Sequence, residues 1–157
     1  MCGYRGLHSD KNPKSCLQDI VLRNEMTKLT PILIFVRRFD ECFQFYRKVF
    51  GLRVVRRYRG KQHPPWAEFQ IGGARLALHG DYNGPPLKIC EPLALHFDVN
   101  DMRKTLAKIK RYGGRVKRGP RKIDFRPAEL QVVYAATFAD PDGNEFDLHQ
   151  VLKRFRK

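Results

Sequence analysis

The first clear pattern is an apolar run at positions 31 to 36 (Pro31, Ile32, Leu33, Ile34, Phe35, Val36), short and rich in β-branched residues as a buried strand is. The period then lengthens. Phe39, Phe43, Tyr46, Val49 and Phe50 recur at three- and four-residue steps, which predicts a helix laying an aromatic stripe on a sheet. Asp40 is the expected cap of that helix and Gly51 its stop, where a left-handed backbone costs glycine least. Alternation returns in three strand candidates, 52–58, 66–71 and 74–79, the last two joined by a turn at Gly72 and Gly73. The order is βαβββ.

The order then repeats. A strand at 93–99 leads into a helix at 101–112 with the stripe Met102, Leu106 and Ile109, stopped by Gly113 and Gly114. A strand begins at 115–117, a basic loop with two prolines is expected at 118–127, and strands at 130–138 and 144–151 close the unit. Val36 and Gly51 return as Val99 and Gly114, both 63 positions on, and the same step carries Phe39, Phe43 and Tyr46 onto the second helical stripe. A duplicated unit is a fold-level signal. The expected organisation is a loose extension over 1–27, one domain over 28–151 with modules at 28–80 and 91–151, and a basic solvated tail at 152–157. The extension carries one short helical candidate from Cys16, and Met26 is a candidate natural start.

Phe45 and Tyr46 ahead of Phe50, Gly51 and Leu52, the paired βαβββ units, and the turn Asp140, Pro141, Asp142, Gly143, Asn144 together resemble the vicinal oxygen chelate superfamily. That group includes glyoxalase I, extradiol dioxygenases, fosfomycin-resistance enzymes and bleomycin-resistance proteins. The resemblance implies an α+β fold in which two βαβββ modules form paired curved mixed sheets around a shared cleft, with a small molecule bound there and a homodimer often completing it. In the family's metal enzymes, ligands sit at the start of each first strand and near the middle of each last strand, which here means Pro31, Ala94, Ala77 and Asp147. Only Asp147 can coordinate. The expectation is therefore a metal-independent binding protein with no cofactor, rather than an enzyme.

Strand alternation adds an answer that does not depend on the family. With Ile32, Ile34 and Val36, Leu76 and Leu78, and Leu95, Phe97 and Val99 facing the helices, the other face carries a mixed set. It holds Leu33 and Phe35, Trp66, Glu68 and Gln70, Arg75, Ala77 and His79, Ala94, His96 and Asp98, and Glu145, Asp147 and His149. From it the candidate ligand-binding residues are Phe35, Trp66, Arg75, His79, His96, Asp147 and His149. The planar fork of Arg75 suits a carboxylate or phosphate, or an internal ion pair with Glu145 or Asp147. Trp66 either stacks on a flat ligand or packs at a dimer interface or rim. His79, His96 and His149 each lie two residues beyond a family ligand position, and with Asp147 they define an alternative, displaced divalent-metal site. Such a site would serve a lyase (lactoylglutathione lyase-like), isomerase or dioxygenase. Asp140 and Asp142 read as turn chemistry around Gly143.

Charge narrows the ligand. With 31 Lys and Arg against 16 Asp and Glu, a formal charge of +15 disfavours cationic drugs of the bleomycin kind and favours an anionic or aromatic metabolite. It also keeps open a nucleic-acid or ribonucleoprotein reading, resting on eleven Lys or Arg between Arg103 and Arg126 and on the tail from Lys153 to Lys157, though no nucleic-acid motif accompanies them. Cys2, Cys16, Cys42 and Cys90 show neither a CxxC pair nor zinc spacing, so reduced thiols in a cytoplasmic protein are expected. Cys42 falls among helical aromatics and Cys90 before Pro92, without the partners a nucleophile needs. His8 and His63 read as surface groups, and no apolar run approaches the ~18 residues of a membrane span.

Overall fold

The computed structural model describes residues 31–88, 94–124, 126 and 131–155. The expectations for 1–27, Cys90, Leu93, Phe125, Pro127 and Leu130 lie outside them. Two βαβββ modules follow one another. The first is β1 (Ile32–Phe35), α1 (Phe39–Phe50), β2 (Arg53–Tyr58), β3 (Trp66–Ile71) and β4 (Ala74–His79). The second is β5 (His96–Asp98), α2 (Met102–Arg111), β6 (Arg115–Asp124), β7 (Gln131–Ala139) and β8 (Glu145–Arg154). Each makes a four-stranded mixed sheet, β1-β4-β3-β2 and β5-β8-β7-β6, in which the first strand lies parallel to the last and the other pairings are antiparallel. The fold is α+β with two like modules.

Both helices form for the reasons their stripes give. Phe39, Phe43, Tyr46 and Val49 of α1 are buried, and Gly51 ends the helix at φ 67°. Asp40 is not its cap: Arg38 occupies that position without a side-chain cap, and Asp40 lies in the first turn, where a carboxylate still favours the helix dipole. On α2, Asp101 is the cap, its carboxylate accepting from the Lys104 amide, and Met102 and Ile109 are buried. Gly114 follows because a Cβ there would stand 2.6 Å from the Phe45 ring and 2.8 Å from the Ala139 carbonyl oxygen.

A single aromatic core spans the modules. Phe43 packs on Phe69 of its own sheet, while Phe45 meets Phe138 and Tyr46 meets Phe97 and Phe146 of the other. The closest stacking, Phe50 on Phe97 at 4.6 Å, crosses the same boundary. Helix α1 is thus a wedge serving both sheets, and the burial of its aromatics ties them together.

Two strands run further than the sequence pattern indicated. The basic segment expected as a loop at 118–127 is strand as far as Asp124, with register shifts between Val116 and Arg118 and between Arg118 and Arg121. Gly119 and Pro120 sit in the second shift, which an edge strand tolerates because no further neighbour needs their amides. Likewise β8 continues past a register shift at Leu152 to Lys153 and Arg154, which pair with Val132 and Gln131 of β7, where the sequence pattern predicts a solvated tail.

Candidate functional site

Register turns each open sheet face into rows that run across the strands. On the first sheet one row is Leu33, Ala77, Glu68 and Arg56, and the next is Phe35, His79, Trp66 and Tyr58. On the second the corresponding rows are His96, Asp147, Thr137 and Arg118, then Asp98, His149, Ala135 and Arg121. His79 and His149 occupy equivalent places, as do Arg56 and Arg118. At the other positions the two faces have parted chemically, one aromatic and one ionic.

The ionic face gathers donors. One ligand atom each from His96, Asp147 and His149 lies within 4.8 Å of the other two, and the imidazole rings stand edge to face at 4.7 Å between centroids. Asp147 is held in place by the Thr137 hydroxyl, which donates to its Oδ1 at 2.6 Å. Above them is a cavity of about 230 Å³ that Arg118 and Arg121 of the edge strand also line. These arginines were not singled out as site residues from sequence, because the bulges that turn both onto this face cannot be read from the residues alone.

The seven sequence candidates therefore divide. His96, Asp147 and His149 meet on the second sheet, whereas Phe35, Trp66, Arg75 and His79 belong to the first. His79 stands apart from the donor cluster, between Phe35 at 5.3 Å and Trp66 at 5.9 Å, with its Nδ1 2.9 Å from the Gly80 carbonyl. The donors that come together are thus three side chains from one module, without His79. Arg75 pairs with buried Glu68 of the neighbouring strand at 2.7 Å, not with Glu145 or Asp147. Glu145 instead lies 3.2 Å from Lys88 and 3.6 Å from Lys117.

Where the modules adjoin, a second cavity of about 210 Å³ is lined by Ile32, Leu33, Phe35, Tyr82, Leu87, Leu95 and their neighbours. Aliphatic and proline walls are poor company for a divalent ion, which needs several carboxylate or imidazole donors. The positions where the resemblance places metal ligands do not fit that group, since Pro31, Ala77 and Ala94 bring no coordinating atom.

The turn at 140–144 does more than reverse the chain. Buried Asp140 accepts from the Tyr46 hydroxyl at 3.0 Å and from the Asn144 amide at 2.9 Å. Asp142 accepts from the Arg37 and Arg38 amides and from Arg38 Nε at 3.0 Å. Burial pushes the Asp140 carboxyl above the usual range despite the donors from Asn144 and Tyr46, and burial also raises the Tyr46 hydroxyl. Both carboxylates fasten the second module to the first, beyond the turn role expected of them.

The sequence matches the family model described as the Glyoxalase/Bleomycin resistance protein/Dioxygenase superfamily over residues 28–148. Among solved structures it is similar to a glyoxalase/bleomycin resistance protein/dioxygenase family enzyme from Burkholderia phytofirmans, at 19% identity and TM-score 0.62, covering 80% of this chain and 100% of that one. A genomically encoded fosfomycin resistance protein from Listeria monocytogenes, solved with Mn(II) and sulfate, is 18% identical with TM-score 0.58, covering 80% and 93%. A glyoxalase I variant from Zea mays is 21% identical with TM-score 0.60, covering 78% of this chain and 45% of that one. At these identities the likeness is one of fold.

Proposed function

The chain belongs to the Glyoxalase/Bleomycin resistance protein/Dioxygenase superfamily, and from that premise we propose that it binds a small organic anion over its second sheet, with no metal ion at the family's usual position. The observation that carries this reading is the convergence of His96, His149, Arg118 and Arg121 on one cavity of about 230 Å³, against a single lining carboxylate, Asp147. Two guanidinium forks suit a carboxylate or phosphate. The cavity is smaller than the roughly 300–1,000 Å³ of drug-sized sites, so the ligand is a small metabolite. Equilibrium dialysis of chelator-treated protein against small carboxylates and phosphate monoesters tests it. Retention that falls about tenfold or more in an Arg118→Gln, Arg121→Gln double variant is the expected result. Failure to retain any such anion defeats the reading.

A second reading rests on the 4.8 Å grouping of His96, Asp147 and His149. Two imidazoles and a carboxylate leave open positions on a zinc, iron or nickel ion, as a lyase, isomerase or dioxygenase needs. Stoichiometric metal in protein purified without chelators, lost in both His96→Ala and Asp147→Ala, favours this reading over the first.

A further inference from the structure

The first sheet carries a feature that small-anion binding over the second does not use. Phe35, His79, Trp66 and Tyr58 form one row, one ring from each strand, all on the open face. Tyr82 extends the row beyond Phe35 at 5.2 Å, and His63 extends it beyond Tyr58 at 6.0 Å. With strands ~4.8 Å apart, the four central rings alone span about 14 Å. Phe35 is 42% exposed and Tyr58 39%, so the row presents large rings to solvent as a contiguous strip rather than as scattered single residues.

Charge accompanies the rings. Arg56 lies in the adjacent row and Arg53 one row further, both exposed on the same face, and among the described residues neither makes an ion pair. Glu68, the cross-strand partner of Arg56, is buried and held by Arg75. Arg57 and Arg59 at the same edge are engaged with Asp40. The net result is a strip of stackable rings bordered by free guanidinium groups on a molecule of charge +15.

We propose that the open face of the first sheet binds single-stranded nucleic acid, with bases stacking on Phe35 and Tyr58 and phosphates meeting Arg53 and Arg56. Four-stranded sheets can present aromatic side chains to unpaired bases in this way, and base stacking on rings tolerates any sequence. The row is longer than one small ring system requires, whereas a strand of several nucleotides places successive bases along it. A duplex keeps its bases stacked inside and offers the rings nothing, so the face discriminates by strandedness.

Fluorescence anisotropy of labelled single strands of about twelve nucleotides at about 50 mM salt, beside the matched duplex, reads this directly. The expected result is tighter binding of the single strand, weakened about 5- to 150-fold by each of Phe35→Ala and Tyr58→Ala and restored by Phe35→Tyr. Arg56→Gln lowers the salt slope by about 0.7. Circular dichroism establishes that each variant is folded. Equal affinity for the duplex, unchanged affinity in a folded Phe35→Ala, Tyr58→Ala double variant, or no binding at about 50 mM salt each overturns the proposal.

Discussion

Single side chains in this protein are decided by what they are buried against. Cys42 is fully buried, and burial pushes its thiol far above the ordinary range, so the nucleophilic thiolate does not form. In a variant with Cys2, Cys16 and Cys90 changed to Ser, a thiol reagent is expected to label nothing in the native protein and one group after unfolding. Tyr46→Phe removes a donor from the buried Asp140 carboxyl and should cost about 1–3 kcal/mol in urea unfolding. Because the folded-state pKa of Asp140 is raised, its contribution is full below its unfolded value near 3.8 and is lost as pH rises through the folded value. The stability advantage of the wild type over Asp140→Asn should therefore shrink between acid and neutral pH. None of this was legible at the turn itself. Asp140 and Gly143 carry a local turn signal, but the partners of the two aspartates lie 94 and 105 positions away, and no local pattern names them.

The elements were largely legible, because both helices and the central strands bury one face and keep its period. The misses have physical causes. A ten-residue strand at 115–124 is hidden because a half-solvated edge needs little apolar alternation, and its glycine and proline sit in a bulge that a linear pattern takes for a loop. The donor cluster was half legible: alternation placed His96, Asp147 and His149 on one face, but only register separates them from His79. Packing between elements gives a sharper test. Gly114→Ala drives a methyl into the Phe45 ring and the Ala139 carbonyl and should cost about 1–3 kcal/mol, whereas Gly73→Ala meets nothing within 4 Å and should stay near neutral. Paired thermal melts check both.

At the scale of the whole molecule, the shared aromatic core and the two aspartate fasteners make independent melting of the modules unfavourable. Tryptophan fluorescence reports the first module, which holds the only Trp, and far-ultraviolet dichroism reports both. Their denaturation curves should coincide, and separated midpoints would show that the modules unfold apart. The seam that binds the two halves leaves their open faces free to diverge: the same scaffold offers an aromatic surface and an ionic one from a single repeated plan. A combinatorial library confined to the four exposed row positions of one half, Leu33, Phe35, Arg56 and Tyr58 in the first, would keep the opposite half as a built-in reference.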